Sequence, residues 1–390
     1  MVFYMSSWYA PSCQRSDFTR YRIYRGNQDE TLIELFGTAT DRNYPAEEKV
    51  VVSDKVQVDS IFAVNDQQIK KCISTKDGTI PVGVVTSYCP DILEDLLRLW
   101  NNTGVPLLIQ VGDAPSPKAS RFVNNSNYML QSYSSIPHFA KTRAALASDM
   151  SWIETKRALQ RQPPEKSLLP QRIIWKLNTR RHFGGLGDLH LIDIPWAKKK
   201  NVSVFRGITT GKRAPRKSKL SVEQKCRLQQ RCAIVDKYSN SLLVDAKLVR
   251  YPSKKMMNQY PASYYGQKLT RTEMLQYKAL IMLQGNDVSS GLKWAMMSNS
   301  VVIMPAPTVS SWFMEELLRP YIHYVPIKAD LSDVEEQMRW IIENDLQAQK
   351  IAQRGSLWVK DMLFHDDAMA DEREIKAEIL SRYGALFTGE

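Results

Sequence analysis

The sequence of 390 residues lacks several features that identify common protein classes. It contains no run of about 18 apolar residues, so no segment predicts a membrane span. Its first residues, MVFYMSSWYAPSC, do not join a charged segment to an apolar one, which argues against a leader and favours a cytoplasmic protein. The GxxxxGK[ST] phosphate loop, the GxSxG nucleophile turn and the HExxH zinc motif are also missing, which excludes the enzyme classes that those motifs define.

Cysteine and histidine are too few and too scattered to indicate a metal site. The five cysteines show no CxxC spacing and are odd in number, so neither a disulfide framework nor a zinc site is expected, and each is interpreted as a buried thiol. They are Cys13, Cys72, Cys89, Cys226 and Cys232. The five histidines show no ligand spacing, and His323 is expected to be a packed strand residue.

Positive charge is in excess. The formal net charge is +12, so the surface favours anions, which include nucleic acid, anionic lipid and small phosphorylated ligands. The hydrophobic fraction of 43% excludes disorder as the main state. A chain of 390 residues is also longer than one hydrophobic core usually supports, which favours two domains.

Short apolar runs alternate with helical patterns, which predicts two α/β halves with mostly parallel sheets and a helical end. The predicted strands are VVVSDKVQV, TIPVGVVTSYC, PLLIQV, VSVFRG, LLVDAKLV, SVVIMP and YIHYVPI. The predicted helices are DILEDLLRLWNN, VEQKCRLQQRCAIVDKYS, residues 270–282, SSGLKWAMMSN, DLSDVEEQMRWIIEND and AQKIAQRGSLWVKDML.

The first segment with a candidate for chemistry is PLLIQVGDAP, residues 106–115. It reads as a strand that ends in a turn holding Asp113. Ligands of open parallel sheets bind beyond the carboxyl ends of strands, so this carboxylate can face a substrate. An aspartate before Ala-Pro is also typical of an ordinary turn, and both interpretations stay open.

The second segment is PWAKKKNVSVFRGITTGKR, residues 195–213, in which a strand leads into a turn with glycine, hydroxyl and cationic side chains. These residue types suit a diphosphate, because glycine lets the backbone approach and the cations supply charge. The candidates are Arg206, Gly207, Thr209, Thr210, Lys212 and Arg213. A solvated basic loop, or a nucleic-acid contact through residues 198–200 and 213–219, explains the same pattern.

The third segment is LQGNDVSSGLKWAMMSNSVVIMP, residues 283–305. Asp287 or Ser289 is expected to cap the following helix, whose N-terminal end suits a phosphate, with Lys293 reinforcing it. A plain capped helix is the alternative. The sequence has no Asp-x-Asp pair, the usual clamp for a metal on a sugar diphosphate, so we expect positive side chains and helix ends to stabilise the leaving group.

These three segments, followed by WFMEELLRPYIHYVPIKADLSDVEEQMRWIIENDLQAQKIAQRG, resemble glycosyltransferase family 90 from about Pro106 to Gly355. That family takes in protein O-glucosyl- and O-xylosyltransferases, a fungal capsule-associated xylosyltransferase and bacterial lipopolysaccharide-modifying enzymes. The resemblance implies a GT-B fold, two Rossmann-like domains around a cleft. It also implies inverting transfer from a UDP-sugar, with xylose or glucose favoured and no metal or other cofactor.

The resemblance further implies roles for individual residues. Asp113 corresponds to the general base, and Arg206, Gly207 and Arg213 to the turn that holds the donor diphosphate, with Arg216 as the alternative to Arg213. The donor-binding loop and helix correspond to Asn286, Asp287, Val288, Ser289, Ser290 and Lys293. Gly291 stands where the animal protein O-glycosyltransferases carry an arginine that helps hold the diphosphate. The resemblance implies that this role passes to Lys293, Lys212 or Arg213. Sugar contacts are implied at Trp175, Lys176 and Arg180, although Trp175 equally suits a core position.

The implied domains are an acceptor-side Rossmann-like domain over residues 1–195 carrying the base, a donor-binding Rossmann-like domain over 196–360, and a helical segment over 361–390 that packs back on the first. GNDVSSGLKW is closer to the bacterial lipopolysaccharide-type branch, which favours a glycan acceptor in polysaccharide biosynthesis. The basic surface is compatible with peripheral membrane association.

Three alternatives remain. One is a protein O-glycosyltransferase of the same family, and another is a sugar-nucleotide-binding or scaffold protein without catalysis. The third is a basic nucleic-acid-binding protein. The third is disfavoured, because the basic stretch has few aromatic residues for base stacking and contains no known binding module.

Overall fold

The computed structural model describes residues 61–63, 88, 91–99, 108–110, 138–144, 172–211, 219–250, 260–366 and 368–388. The strands of these residues are β1 (Ile61–Ala63), β2 (Leu108–Gln110), β3 (His138–Ala140), β4 (Thr142–Ala144), β5 (Arg172–Ile174), β6 (Lys200–Gly207), β7 (Val244–Leu248), β8 (Tyr277–Ile281), β9 (Val301–Met304), β10 (Val309–Ser311) and β11 (Val325–Pro326).

The α-helices are α1 (Leu97–Leu99), α2 (Thr179–His182), α3 (Leu189–Ile192), α4 (Val222–Arg227), α5 (Gln230–Lys237), α6 (Arg271–Met274), α7 (Leu292–Met297), α8 (Val334–Glu343), α9 (Asp345–Leu363) and α10 (Ala368–Thr388). A π-helical turn, Asp91–Leu96, precedes α1, and 3-10 turns lie at Trp196–Lys198, Ala262–Tyr264 and Glu315–Leu317. Among the described residues, no helix combines the length and apolar character that crossing a membrane requires.

The chain forms two compact units, which we call the five-stranded unit and the four-stranded unit after the larger sheet in each. The five-stranded unit contains His182–Thr308 and Leu317–His365. The four-stranded unit contains the described residues up to Arg181 together with Val309–Glu316 and those from Asp366 onward.

The five-stranded unit is built on a parallel sheet in the order β11-β9-β8-β6-β7. Every residue of β9 is buried, as in parallel strands that are covered on both faces. Residues of α5, α8 and α9 share one hydrophobic core with the strands, including Ile234, Met338, Ile351 and Ile303. The VSVFRG, LLVDAKLV and SVVIMP predictions are thus confirmed as strands.

The four-stranded unit holds a sheet in the order β1-β2-β3-β5, in which β2, β3 and β5 are parallel and β1 is antiparallel, and a two-stranded sheet of β10 and β4. Helix α10 packs here, with the Tyr383 ring 4.6 Å from the Phe139 ring. Both units confirm the mixed α/β class with parallel sheets. The GT-B arrangement and the domain bounds stay predictions.

One helix prediction and one strand prediction are wrong in part. Residues 270–282 form the short helix α6 and then strand β8, because the apolar run after Tyr277 lies inside the sheet, and periodicity cannot separate a short buried strand from a buried helix. The predicted strand YIHYVPI is shorter than expected, since only Val325–Pro326 belongs to a strand, which pairs with β9. Tyr321 has a left-handed φ of 57° in the turn before it.

The expectation of unpaired thiols is wrong for Cys226 and Cys232, which form a disulfide across a Cα–Cα distance of 5.0 Å. The predicted single helix breaks between α4 and α5. In an unbroken helix, residues six apart would stand about 9 Å apart along the axis and face different sides, so the break is what brings the two sulfurs together. The other three cysteines lie outside the described residues.

Candidate active site

The carboxyl ends of β6 and β8 lie at the same edge of the five-stranded sheet, because the two strands pair in parallel. Residues 208–211 follow β6, and residues 282–290 follow β8. We call these segments the β6 loop and the β8 loop. Ligands of open parallel sheets bind at this carboxyl edge, so the fold places two of the three predicted segments where a ligand site is expected.

The two loops meet at Gly211. Its backbone N–H donates to Asn286 Oδ1 at 3.0 Å. Its φ is 108°, and a Cβ atom there would lie 2.9 Å from the carbonyl oxygen of Gly285. Only glycine permits both the backbone conformation and this approach, which explains the residue type at this position.

Arg231, in the first turn of α5, joins the same loops from a second side. Its Nη1 donates to Thr210 Oγ1 at 2.9 Å, its Nη2 to the Leu283 carbonyl at 2.7 Å, and its Nε to the Gln284 carbonyl at 3.1 Å. One guanidinium therefore holds the β6 loop against the backbone of the β8 loop. Sequence reasoning missed this residue, since an arginine in a helical pattern gives no sign of such contacts.

The predicted donor-binding residues around these contacts differ in exposure. Thr210 and Ser290 are half-buried, whereas Thr209, Asp287, Val288 and Ser289 are buried. The side chain of Ser289 lies beside the sulfur of Met282, with Oγ 3.8 Å from Sδ. Asn286 lies at the loop junction, and the loop after β9 also reaches it, because Thr308 Oγ1 donates to Gln284 Oε1 at 2.6 Å.

The predicted cap of α7 is wrong. The helix begins at Leu292 with Gly291 as its N-cap residue, and no side chain caps it. Ser289 contributes its backbone instead, since its carbonyl accepts from Leu292 N at 3.1 Å. A turn between residues 289 and 292 therefore precedes the helix and takes the place of a side-chain cap.

Lys293 is fully buried in α7. Its Nζ lies 5.7 Å from the centroid of the Phe183 ring, a cation–π distance. Protein atoms therefore cover the Lys293 ammonium in this structure, although Lys293 lies in α7, the helix that follows the β8 loop.

Arg206 does not join the residues at the loop junction. Its Nη2 pairs with Asp245 Oδ2 at 2.8 Å, and Tyr277 Oη donates to the same oxygen at 3.0 Å. Burial alone would raise the pKa of Asp245, but the hydrogen bond and charge of Arg206, together with the contributions of Tyr277 and Lys247, lower that pKa overall. A Cβ at Gly207 would lie 2.7 Å from Cζ of Phe205, so a side chain there would require that ring to shift.

The predicted sugar-contacting residues lie in the four-stranded unit. Trp175 is fully buried and donates through Nε1 to Asp95 Oδ2 at 3.1 Å, which matches the core alternative. Lys176 pairs with Glu372 at 2.5 Å, whereas Arg180 is exposed. Burial raises the pKa of Glu372, yet the ammonium groups of Lys176 and its neighbour on α10 lower it overall.

Asp113, Lys212, Arg213 and Arg216 lie outside the described residues. Within the described part of the chain, no cluster of three or more His, Cys, Asp or Glu side chains could hold a metal ion.

Comparison with known proteins gives one family. The model of "Glycosyl transferase family 90" matches residues 189–388, which is half of the chain and does not reach Asp113. "O-glucosyltransferase LpsA" of Dichelobacter nodosus is 28% identical over 187 residues, 48% of this chain and 50% of that protein. "Protein O-glucosyltransferase 1" of Homo sapiens is 29% identical over 173 residues, 44% of this chain and 40% of that protein.

A third similar protein is "Uncharacterized protein 179R" of Invertebrate iridescent virus 6, 28% identical over 181 residues, 41% of this chain and 15% of that protein. The chain thus spans half or less of the length of these relatives. The family match, however, includes β6, both loops at the carboxyl edge, Arg231 and α7. The chain therefore belongs to glycosyltransferase family 90.

Proposed function

We propose that this protein is a glycosyltransferase that moves a sugar, xylose or glucose, from a UDP-sugar to a hydroxyl group of a glycan. Transfer proceeds with inversion and without a metal ion. The observation that carries the proposal is the junction of the β6 and β8 loops at the carboxyl edge, within the residues that match the family.

A diphosphate offers only acceptor oxygens, so its site must supply N–H and O–H donors and positive charge. The junction offers the half-buried hydroxyl of Thr210, and glycine at positions 211 and 285 lets the backbones of the two loops pack closely beside it. The guanidinium of Arg231 lies directly against it. In the proposal, Lys212 and Arg213, or Arg216 in place of Arg213, complete the charge.

Asp113 is the proposed general base. In an inverting transfer the acceptor oxygen attacks the anomeric carbon on the face opposite the diphosphate. A carboxylate within hydrogen-bond reach takes the hydroxyl proton as the new C–O bond forms and the bond to the diphosphate breaks. Arg206 is held by Asp245, so we propose that it supports the β6 strand rather than the diphosphate.

The second candidate is transfer to a protein hydroxyl. It is favoured by the similarity to protein O-glucosyltransferase 1, since its 29% identity is close to the 28% of the bacterial relative. The two candidates share donor chemistry and differ only in the acceptor.

The test is a panel of UDP-, GDP- and CDP-sugars incubated with the protein in EDTA, with release of free nucleotide as the measurement. We expect selective slow hydrolysis of one UDP-sugar, lost in Asp113→Asn and kept in Asp188→Asn. Asp188 is a matched control because it is exposed and its side chain does not cap α3.

Addition of oligosaccharide or folded-domain acceptors to the active donor then separates the two candidates. Faster turnover with glycans supports the first, and faster turnover with protein domains supports the second. Absence of turnover with every donor, or full activity of Asp113→Asn, would remove the proposal.

A further inference from the structure

The hydrogen bond between Arg231 and Thr210 determines how the Thr210 hydroxyl can act. A guanidinium carries only donors, so in its contact with Arg231 Nη1 the oxygen of Thr210 must be the acceptor. A hydroxyl has a single proton, and this contact does not use it. Thr210 is therefore set up to donate that proton to another acceptor.

The surroundings of Thr210 restrict where its side chain can go. A Cβ at Gly285 would lie 2.8 Å from Thr210 Oγ1 and 3.1 Å from Arg231 Nη2, so the backbone of the β8 loop packs directly on this pair. Thr210 is only half-buried and remains accessible at the carboxyl edge. An anionic oxygen arriving there would meet a hydroxyl whose proton is directed away from Arg231.

Arg231 is itself held firmly. It follows the break between α4 and α5, where the adjacent Cys232 is joined to Cys226 by the disulfide, and both sulfur-bearing residues are fully buried. Arg231 also donates to the backbone carbonyls of Leu283 and Gln284, which cannot rotate away as a side chain can. The guanidinium therefore has little freedom to leave Thr210.

We propose that Arg231 is a positioning residue that orients the Thr210 hydroxyl as a hydrogen-bond donor to a phosphate oxygen of the sugar nucleotide. This inference rests on the proposed function, because it assigns a ligand to the same edge. In this inference Thr210 contacts the phosphate directly, and Arg231 acts on the phosphate only by orienting Thr210.

The test measures UDP binding by calorimetry for the wild-type protein, Thr210→Val, Thr210→Ser, Arg231→Met and the double variant Thr210→Val/Arg231→Met. Thr210→Val should raise the dissociation constant about tenfold or more, because a hydrogen bond to a charged group is lost, and Thr210→Ser should restore most of it. Arg231→Met should weaken binding as well.

The double variant decides whether Arg231 acts through Thr210. It should bind UDP no more than about twofold more weakly than the worse single variant, whereas independent effects would multiply. Arg227→Met is the matched control, because Arg227 is an exposed arginine of the neighbouring helix that pairs with Asp236. It should bind as the wild type does, and melting curves of all variants show whether they remain folded.

The outcomes are distinct. If the wild-type protein binds neither UDP nor a UDP-sugar, the proposed function and this inference both fall. If it binds UDP and Thr210→Val binds equally well, or if the two single effects multiply in the double variant, this inference is overturned while the proposed function stands. Binding lost in Thr210→Val and restored in Thr210→Ser does not depend on the stability of the Arg231 variants.

Discussion

His323 should make the five-stranded unit sensitive to mild acid. The side chain is 5% exposed, its ring centroid lies 5.0 Å from that of Trp358, and its Nδ1 accepts from Arg319 N at 3.0 Å. Burial, aided by the positive charges of Arg319 and Arg354, lowers the pKa of His323 to about 3. The ring is therefore neutral in the folded protein over the mildly acidic range, from pH 7 to pH 5.

The sign of the effect follows from proton binding. In the unfolded chain the imidazole has a pKa of about 6.5 and takes up a proton as the pH falls through that value, whereas the folded state does not. Unfolding becomes more favourable as the pH falls, by about 1.4 kcal/mol per unit once the pH is below the unfolded value. Between pH 7 and pH 5 the loss from His323 alone is about 2 kcal/mol.

The assay is urea unfolding at pH 7 and pH 5 for the wild type and for His323→Asn, in which the amide oxygen can still accept from Arg319 N. The variant should lose about 2 kcal/mol less than the wild type over this range. His190→Asn is the control, because His190 is exposed. An identical pH dependence in His323→Asn and the wild type would refute the reasoning.

Three further perturbations have defined outcomes. Replacing Cys226 and Cys232 together by alanine opens a loop with a sequence separation of 6 and should lower the free energy of unfolding by about 2 kcal/mol. Treatment of the wild type with reductant should lower it by the same amount. An unchanged free energy of unfolding in both experiments would contradict the disulfide. Asp193→Asn removes the carboxylate that lies 2.6 Å from the buried ammonium of Lys199, a group whose pKa is lowered by burial. The variant should lose about 3–5 kcal/mol of unfolding free energy, measured in urea. A loss below about 1 kcal/mol would show that the pair is not buried. Gly211→Ala places a side chain on a residue whose φ is 108°. The variant should lose on the order of 1–3 kcal/mol of unfolding free energy and should bind UDP more weakly. A variant that binds UDP and melts as the wild type does would contradict the loop junction.

Much of the five-stranded unit could be predicted from local pattern. The runs at β6, β7 and β9 are apolar, short and bounded by turns, and their order with the intervening helices predicts a parallel sheet. The helix prediction over 270–282 failed at β8 because a buried strand of this length has no distinguishing period. The break between α4 and α5 was missed because neither glycine nor proline marks it.

The site was predictable in place but not in detail. Thr210 of the β6 loop and Asn286 of the β8 loop were identified as candidates, and the structure joins Asn286 to Gly211, the residue after Thr210. The roles of the cations were not readable, because they depend on partners distant in sequence. Arg206 is engaged by Asp245, 39 residues away, while Arg231 reaches Leu283, 52 residues away. Nothing in the sequence around Arg206 or Arg231 indicates which of the two reaches the loop junction.

The most direct test of the central claim, that a sugar nucleotide binds where the β6 and β8 loops meet, is backbone hydrogen–deuterium exchange with and without saturating UDP. The account predicts slower exchange in peptides covering residues 205–211 and 282–293. No change is expected around residues 193–199, which precede β6 at the opposite edge of the sheet. Protection confined to that opposite edge, or no protection in either loop at a UDP concentration that saturates binding, would contradict the claim.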